Sequence, residues 1–147
     1  MDNLSILNTH EIKKIAVLLE DQWGFKAKLE YVFLMNNKSR IFLTTRDFGL
    51  IELKALRINS VGLYFGEITH ERLRLSMEGS QIIGPGATKN IVEVNEQEEM
   101  SWLKGFDLEK ECQDGFVIVK HKEHYLGCGS ARQGRILNYV PKTRRIK

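Results

Sequence analysis

Between Gly134 and Arg145 the chain reads Gly-Arg-Ile-Leu-Asn-Tyr-Val-Pro-Lys-Thr-Arg-Arg, a short alternating segment stopped by a proline and then loaded with cations. Fixed guanidinium and ammonium groups beside backbone donors and one aromatic ring suit a phosphate backbone far better than a small substrate. The pattern points to RNA. In that reading Arg135, Lys142, Arg144 and Arg145 meet phosphates, Asn138 supplies a hydrogen bond and Tyr139 an aromatic face. Arg132 and Lys89 stand on adjoining loops as secondary candidates. A plain solvated tail is the competing account. The alternation of the cations with Ile136, Leu137, Tyr139 and Val140 argues instead that they ride on an ordered strand.

Charge is distributed unevenly along the chain. From Lys120 onward eight cations face Glu123 alone, a balance of +7, which leaves −4 for residues 1–119 of a chain whose formal charge is +3. Such asymmetry speaks to partners and not to fold. At 147 residues with 42% hydrophobic and 28% charged side chains, the chain can bury one good core or two small ones. The longest apolar run, Ile15 to Leu19, is too short to span a bilayer. Two cysteines make no disulfide framework, so reduced thiols in a soluble, cytoplasmic protein that avoids membranes are expected.

Other constellations fare worse. Asp47-Phe48-Gly49 lacks the glycine-rich loop and strand lysine that would give it a kinase role, and a turn explains it. Gly79 and Gly84 have P-loop spacing, but Pro85-Gly86 stand where the lysine and hydroxyl must be, so nucleotide hydrolysis is rejected. The Gly84–Asn90 turn is left with Lys89 and backbone N–H groups for one phosphate. Cys112, His121, His124 and Cys128 are zinc-ligating types without zinc-ligating spacing, so no metal and no cofactor is expected. No nucleophile has a base and an orienting partner beside it. A small enzyme using Cys128 between two glycines is the residual catalytic alternative.

The elements that must position the cations follow from periodicity. Asn8 with Glu11 forms a capping box opening a helix through Ile12, Ile15, Ala16 and Leu19, closed at Trp23-Gly24. Alternation over Leu29–Met35, a turn at Asn36–Ser39 and a return over Arg40–Thr45 predict a hairpin. A loop at Arg46–Gly49, an apolar segment at Leu50–Leu56 and a strand at Leu63–Ile68 follow. Arg72–Leu75 leads through Met77 and Gly79 to the turn Gly84-Pro85-Gly86. A second capping box, Asn95 with Glu98, opens a helix carrying Trp102. Gly115–Lys120 reads as a central strand, His121–His124 as a turn, Ser130–Gly134 as a loop before the final strand.

The fold class is therefore α+β: a small N-terminal α/β domain (residues 1–72), one helix on an antiparallel sheet, followed by a small β-barrel (residues 73–147).

Three segments carry a family likeness: Gly115-Phe116-Val117-Ile118-Val119, Leu126-Gly127-Cys128-Gly129, and Asn138-Tyr139-Val140-Pro141-Lys142-Thr143-Arg144-Arg145. Together they resemble PUA domains, small RNA-binding barrels, and more narrowly the PUA-like tail of RsmF-type rRNA 5-methylcytosine methyltransferases of the Sun/Fmu group. Leu137, Val140 and Ser130 depart from that pattern, and Leu63–Glu67 extends the likeness weakly upstream. No SAM-binding half is present, and neither cysteine follows a proline as the family's catalytic motifs require. The resemblance implies a stand-alone, non-catalytic protein that binds structured RNA, rRNA or tRNA, in ribosome biogenesis or RNA modification. The alternative is an adaptor docking an RNA methyltransferase or a ribosome assembly protein, marked by exposed apolar residues around Phe42, Phe48, Tyr64 and Phe65.

Overall fold

The computed structural model describes residues 4–45 and 62–147. The expected Asp47-Phe48-Gly49 turn and the Leu50–Leu56 segment lie outside those residues. Two five-stranded sheets and three α-helices make an α+β fold among the described residues.

The first sheet is antiparallel throughout, with strands β1 (Ser5–Ile6), β2 (Tyr31–Met35), β3 (Arg40–Thr45), β4 (Leu63–Thr69) and β5 (Arg72–Leu75) in chain order. Helix α1 (Thr9–Trp23) covers one face. It starts at the expected capping box, where Asn8 Oδ1 accepts from the Glu11 N–H at 2.8 Å and Glu11 Oε1 accepts from the Asn8 N–H at 3.0 Å. It ends at Gly24, whose φ of 67° is the left-handed region that favours glycine. Ile15, Leu19 and Trp23 of α1 pack with Phe33, Ile41, Leu43, Phe65 and Leu73 in one core. Gln22 ties helix to sheet, its amide and carbonyl oxygen bonding both backbone polar groups of Leu73 at 2.9 and 2.8 Å. Strand β5 begins at Arg72, so the expected division between 72 and 73 falls at its first residue.

The second sheet has the order β6 (Ile91–Glu93), β8 (Gly115–His121), β9 (His124–Arg132), β10 (Arg135–Leu137), β7 (Leu108–Glu109), and it curls into a half-barrel. β6 runs parallel to β8 and the other pairs are antiparallel. β8 is central, as its two-faced apolar pattern requires. Ile118 joins the first core and Val117 and Val119 the second, so this strand is a wall shared by both. Helix α3 (Glu96–Leu103) starts at the expected Asn95–Glu98 capping box and drives Trp102, fully buried, into the second core. The Trp102 indole N–H donates to the Leu126 carbonyl at 3.1 Å.

Four expectations need correction. Met77–Ile83 is a helix, α2, because the Ser76 hydroxyl accepts from the Gly79 N–H at 2.9 Å and caps it. Gly84-Pro85-Gly86 is a 3-10 turn continuing α2, with Pro at its start. The loop expected at Ser130–Gly134 is shorter, since β9 runs to Arg132 and only Gln133 and Gly134, both at positive φ, make the turn. The final strand stops at Leu137. Lys142–Arg144 form a 3-10 turn of their own, so the terminal cations are not displayed along a continuous strand.

Candidate nucleic-acid interface

Asn138 decides how the C-terminal segment lies. Its side-chain amide donates to the carbonyls of Trp102 (2.8 Å) and Phe106 (2.9 Å), and its Oδ1 accepts from the Val140 N–H at 2.7 Å. Its own N–H donates to Asp107 Oδ1 at 2.8 Å. Both amide hydrogens are thereby committed, so Asn138 fastens β10 to the end of α3. Val140, buried, then enters the second core. Arg145 lies over Gly105 and donates from Nε to the Val140 carbonyl at 3.0 Å, while the Ile146 N–H donates to Leu103 at 3.0 Å. A Cβ at position 105 would come within 2.4 Å of the Arg145 side chain, so this packing relies on glycine there.

The expected cations separate into three groups. Arg132 and Arg135 face each other across the β9–β10 turn as cross-strand partners, both exposed. Lys142 is exposed on the 3-10 turn. Among the described residues neither Arg132 nor Lys142 has an acidic partner. Arg135 pairs with Asp107 (3.2 Å) and Arg144 with Glu78. These pairs remain solvent-accessible, and exposed ion pairs are worth about 0–1 kcal/mol, so a phosphate can displace the carboxylate. Lys89 stands apart. Its N–H donates to the Trp23 carbonyl at 3.3 Å, and it precedes β6, the sheet edge opposite β7.

Tyr139, 40% exposed, meets residues that the sequence did not single out. The Arg74 guanidinium lies 4.3 Å from its ring centroid. Arg74 and Arg40 are both held by Glu67, at 3.2 and 3.6 Å, and the three are direct neighbours on β5, β4 and β3. Phe42 and Tyr64 meet beside them in a tilted contact, with centroids 5.5 Å apart and planes at 45°. Burial raises the Tyr64 hydroxyl above its ordinary pKa, partly offset by Arg74. The detectable signal was period two: Arg72-Leu73-Arg74-Leu75 puts arginines on the face opposite the core. Phe106, 61% exposed after Gly105, was missed as well.

The residues that marked the adaptor alternative divide. Phe65 is fully buried, Phe42 and Tyr64 are half-buried, and Phe48 lies outside the described residues. The catalytic alternative loses its nucleophile. Cys128 is buried, and desolvation pushes its thiol up to about 12, which leaves no thiolate near neutral pH. Cys112, His121, His124 and Cys128 do not converge: among the described residues no three His, Cys, Asp or Glu side chains form a metal-holding group. His121 instead bonds the Val94 carbonyl through Nδ1 at 2.8 Å. No described helix is long and apolar enough to cross a membrane.

A family-model match falls on the same segment. Residues 89–146 match the family model described as the methyltransferase RsmF PUA domain. The chain is 29% identical over 111 residues to the ribosomal RNA small subunit methyltransferase F of Aeromonas salmonicida (strain A449). It is 30% identical over 111 residues to the protein of that name from Aeromonas hydrophila subsp. hydrophila. Each match covers 74% of this chain but 23% of the relative, so the chain spans about a quarter of the length of those relatives. The half-barrel, the buried Trp102 and the pinned C-terminal segment all lie in the matched residues, and over 89–146 this chain is similar to the PUA domains of the RsmF type.

Proposed function

We propose that this protein binds structured RNA, ribosomal or transfer, through the tip of the β9–β10 hairpin and the Lys142–Arg144 turn, and serves ribosome biogenesis or RNA modification without catalysing a reaction itself. One observation carries the reading: Arg132, Arg135 and Lys142 are exposed on the segment that matches a PUA domain of an rRNA methyltransferase family. Arg144 and Arg145 extend the patch, the first by exchanging Glu78 for a phosphate and the second by fixing the turn against Val140. Tyr139 offers its ring at the inner margin of the patch. Lys89, on the far edge of the sheet, serves a separate phosphate or none. Contacts of this kind read RNA by backbone and shape more than by base sequence.

The test is binding of an rRNA-derived stem-loop by the wild type and by a variant with Arg135, Lys142, Arg144 and Arg145 all changed to alanine. The variant should lose most of its affinity at moderate salt. Unchanged binding by a folded variant would remove the patch from the interface. Crosslinking in cell extract, followed by sequencing of the attached nucleic acid, would name the RNA. Recovery of a methyltransferase or an assembly protein without RNA would favour the adaptor.

A further inference from the structure

The two sheets leave a cleft of about 550 Å³ between them, within the size of ordinary small-ligand sites, roughly 300–1,000 Å³. The neighbouring Phe42 and Tyr64 rings, tilted at 45° to each other, form part of its lining on the first sheet, and Tyr139 with Arg74 on its ring also lines it. Leu75, Met77 and Trp102 add apolar surface, and Arg40 and Arg144 add positive charge, the latter beside the carboxylate of Glu78. Phe42, Tyr64 and Tyr139 belong to neither hydrophobic core, so core packing does not account for three aromatic rings gathered here.

We propose that this cleft receives one unpaired base of the bound RNA, stacked on the aromatic rings, with its flanking phosphates on Arg40 and Arg144. The inference rests on the RNA-binding reading and adds a specific subsite to it. A nucleobase has flat π faces for the rings, a polar edge for the tyrosine hydroxyls and Arg74, and an attached anion for the arginines. An aliphatic ligand would use neither the ring faces nor the three guanidinium groups, which can exchange Glu67 and Glu78 for a phosphate. The cleft also adjoins the basic patch, because Arg144 belongs to both. A strand crossing the Lys142–Arg144 turn therefore passes the cleft directly.

The experiment uses the full chain and two RNA stem-loops. One carries a single-nucleotide bulge of the fluorescent base 2-aminopurine, and the other is fully paired. The wild type should prefer the bulged RNA, with the fluorescence changing on binding as the base is stacked. Tyr64→Leu should lose that preference by about 5- to 150-fold, the loss of one base–aromatic stack. Tyr64→Phe, which keeps the ring, should retain it. Equal binding of both RNAs by the wild type, with no fluorescence change, would overturn the inference while leaving RNA binding intact. Full preference in Tyr64→Leu would overturn it too. If the wild type binds neither RNA even at low salt, the proposed function falls and takes the subsite with it. The wild-type comparison needs no variant, so a Tyr64→Leu protein that failed to fold would not shield the proposal.

Discussion

The Arg74 guanidinium lies 4.3 Å above the Tyr139 ring and joins the edge strand of the first sheet to the C-terminal segment of the second. Cation–π contacts at partly exposed sites contribute about 0.5–1 kcal/mol. A double-mutant cycle of Arg74→Met and Tyr139→Leu should show a coupling of that size in urea unfolding. Strict additivity would mean that the contact contributes nothing to stability.

Asn138→Ala should destabilise the protein by about 1–3 kcal/mol, because the carbonyls of Trp102 and Phe106 and the N–H of Val140 lose their partner. RNA affinity should fall with it, since the segment that carries Lys142 is no longer held. Lys142→Ala offers the contrast: weaker binding with an unchanged urea midpoint. If Asn138→Ala weakened binding but left the midpoint alone, Asn138 would be a direct contact after all.

The dependence of affinity on salt separates paired from unpaired cations. Arg132→Ala and Lys142→Ala should each lower the slope of log K against log salt by about one. Arg144→Ala should lower it less, because Glu78 already holds that guanidinium. Glu78→Gln frees Arg144 and should tighten binding at low salt. Equal slopes for all four proteins would place these side chains outside the interface.

Cys128 gives a signature in alkali. Its thiol is pushed up to about 12 by burial, against 9.0 ordinarily, so the unfolded chain releases this proton first as pH rises. The contribution is fully present below pH 9.0 and is lost progressively towards about 12, at up to about 1.4 kcal/mol per pH unit. Wild type should therefore lose stability across that window relative to Cys128→Ala. Parallel curves would refute the assignment. Thiol-labelling reagents should modify the half-buried Cys112 well before Cys128.

What the sequence made legible was local or periodic. Asn8 with Glu11 and Asn95 with Glu98 are three residues apart, so both capping boxes were readable without the rest of the chain. Gly115–Val119 announced a central strand by being apolar on both faces, and it divides its side chains between two cores. Helix α2 escaped because two glycines and a following proline mask its pattern, and only Ser76 caps it. Pro141 was read as the stop of the final strand, but β10 ends earlier, where Asn138 turns its side chain back to Trp102 and Phe106. The cluster of Arg40, Phe42, Tyr64, Glu67, Arg74 and Tyr139 is assembled by strand pairing and docking across nearly a hundred residues, which no local window contains.

Glu67 serves two guanidinium groups with one carboxylate. Any anion that draws Arg40 away leaves that carboxylate to Arg74 alone, and so alters how firmly Arg74 is drawn from the Tyr139 ring. A rung of three charges across neighbouring strands thus acts as a balance beam, and what settles on one pan is registered at the other.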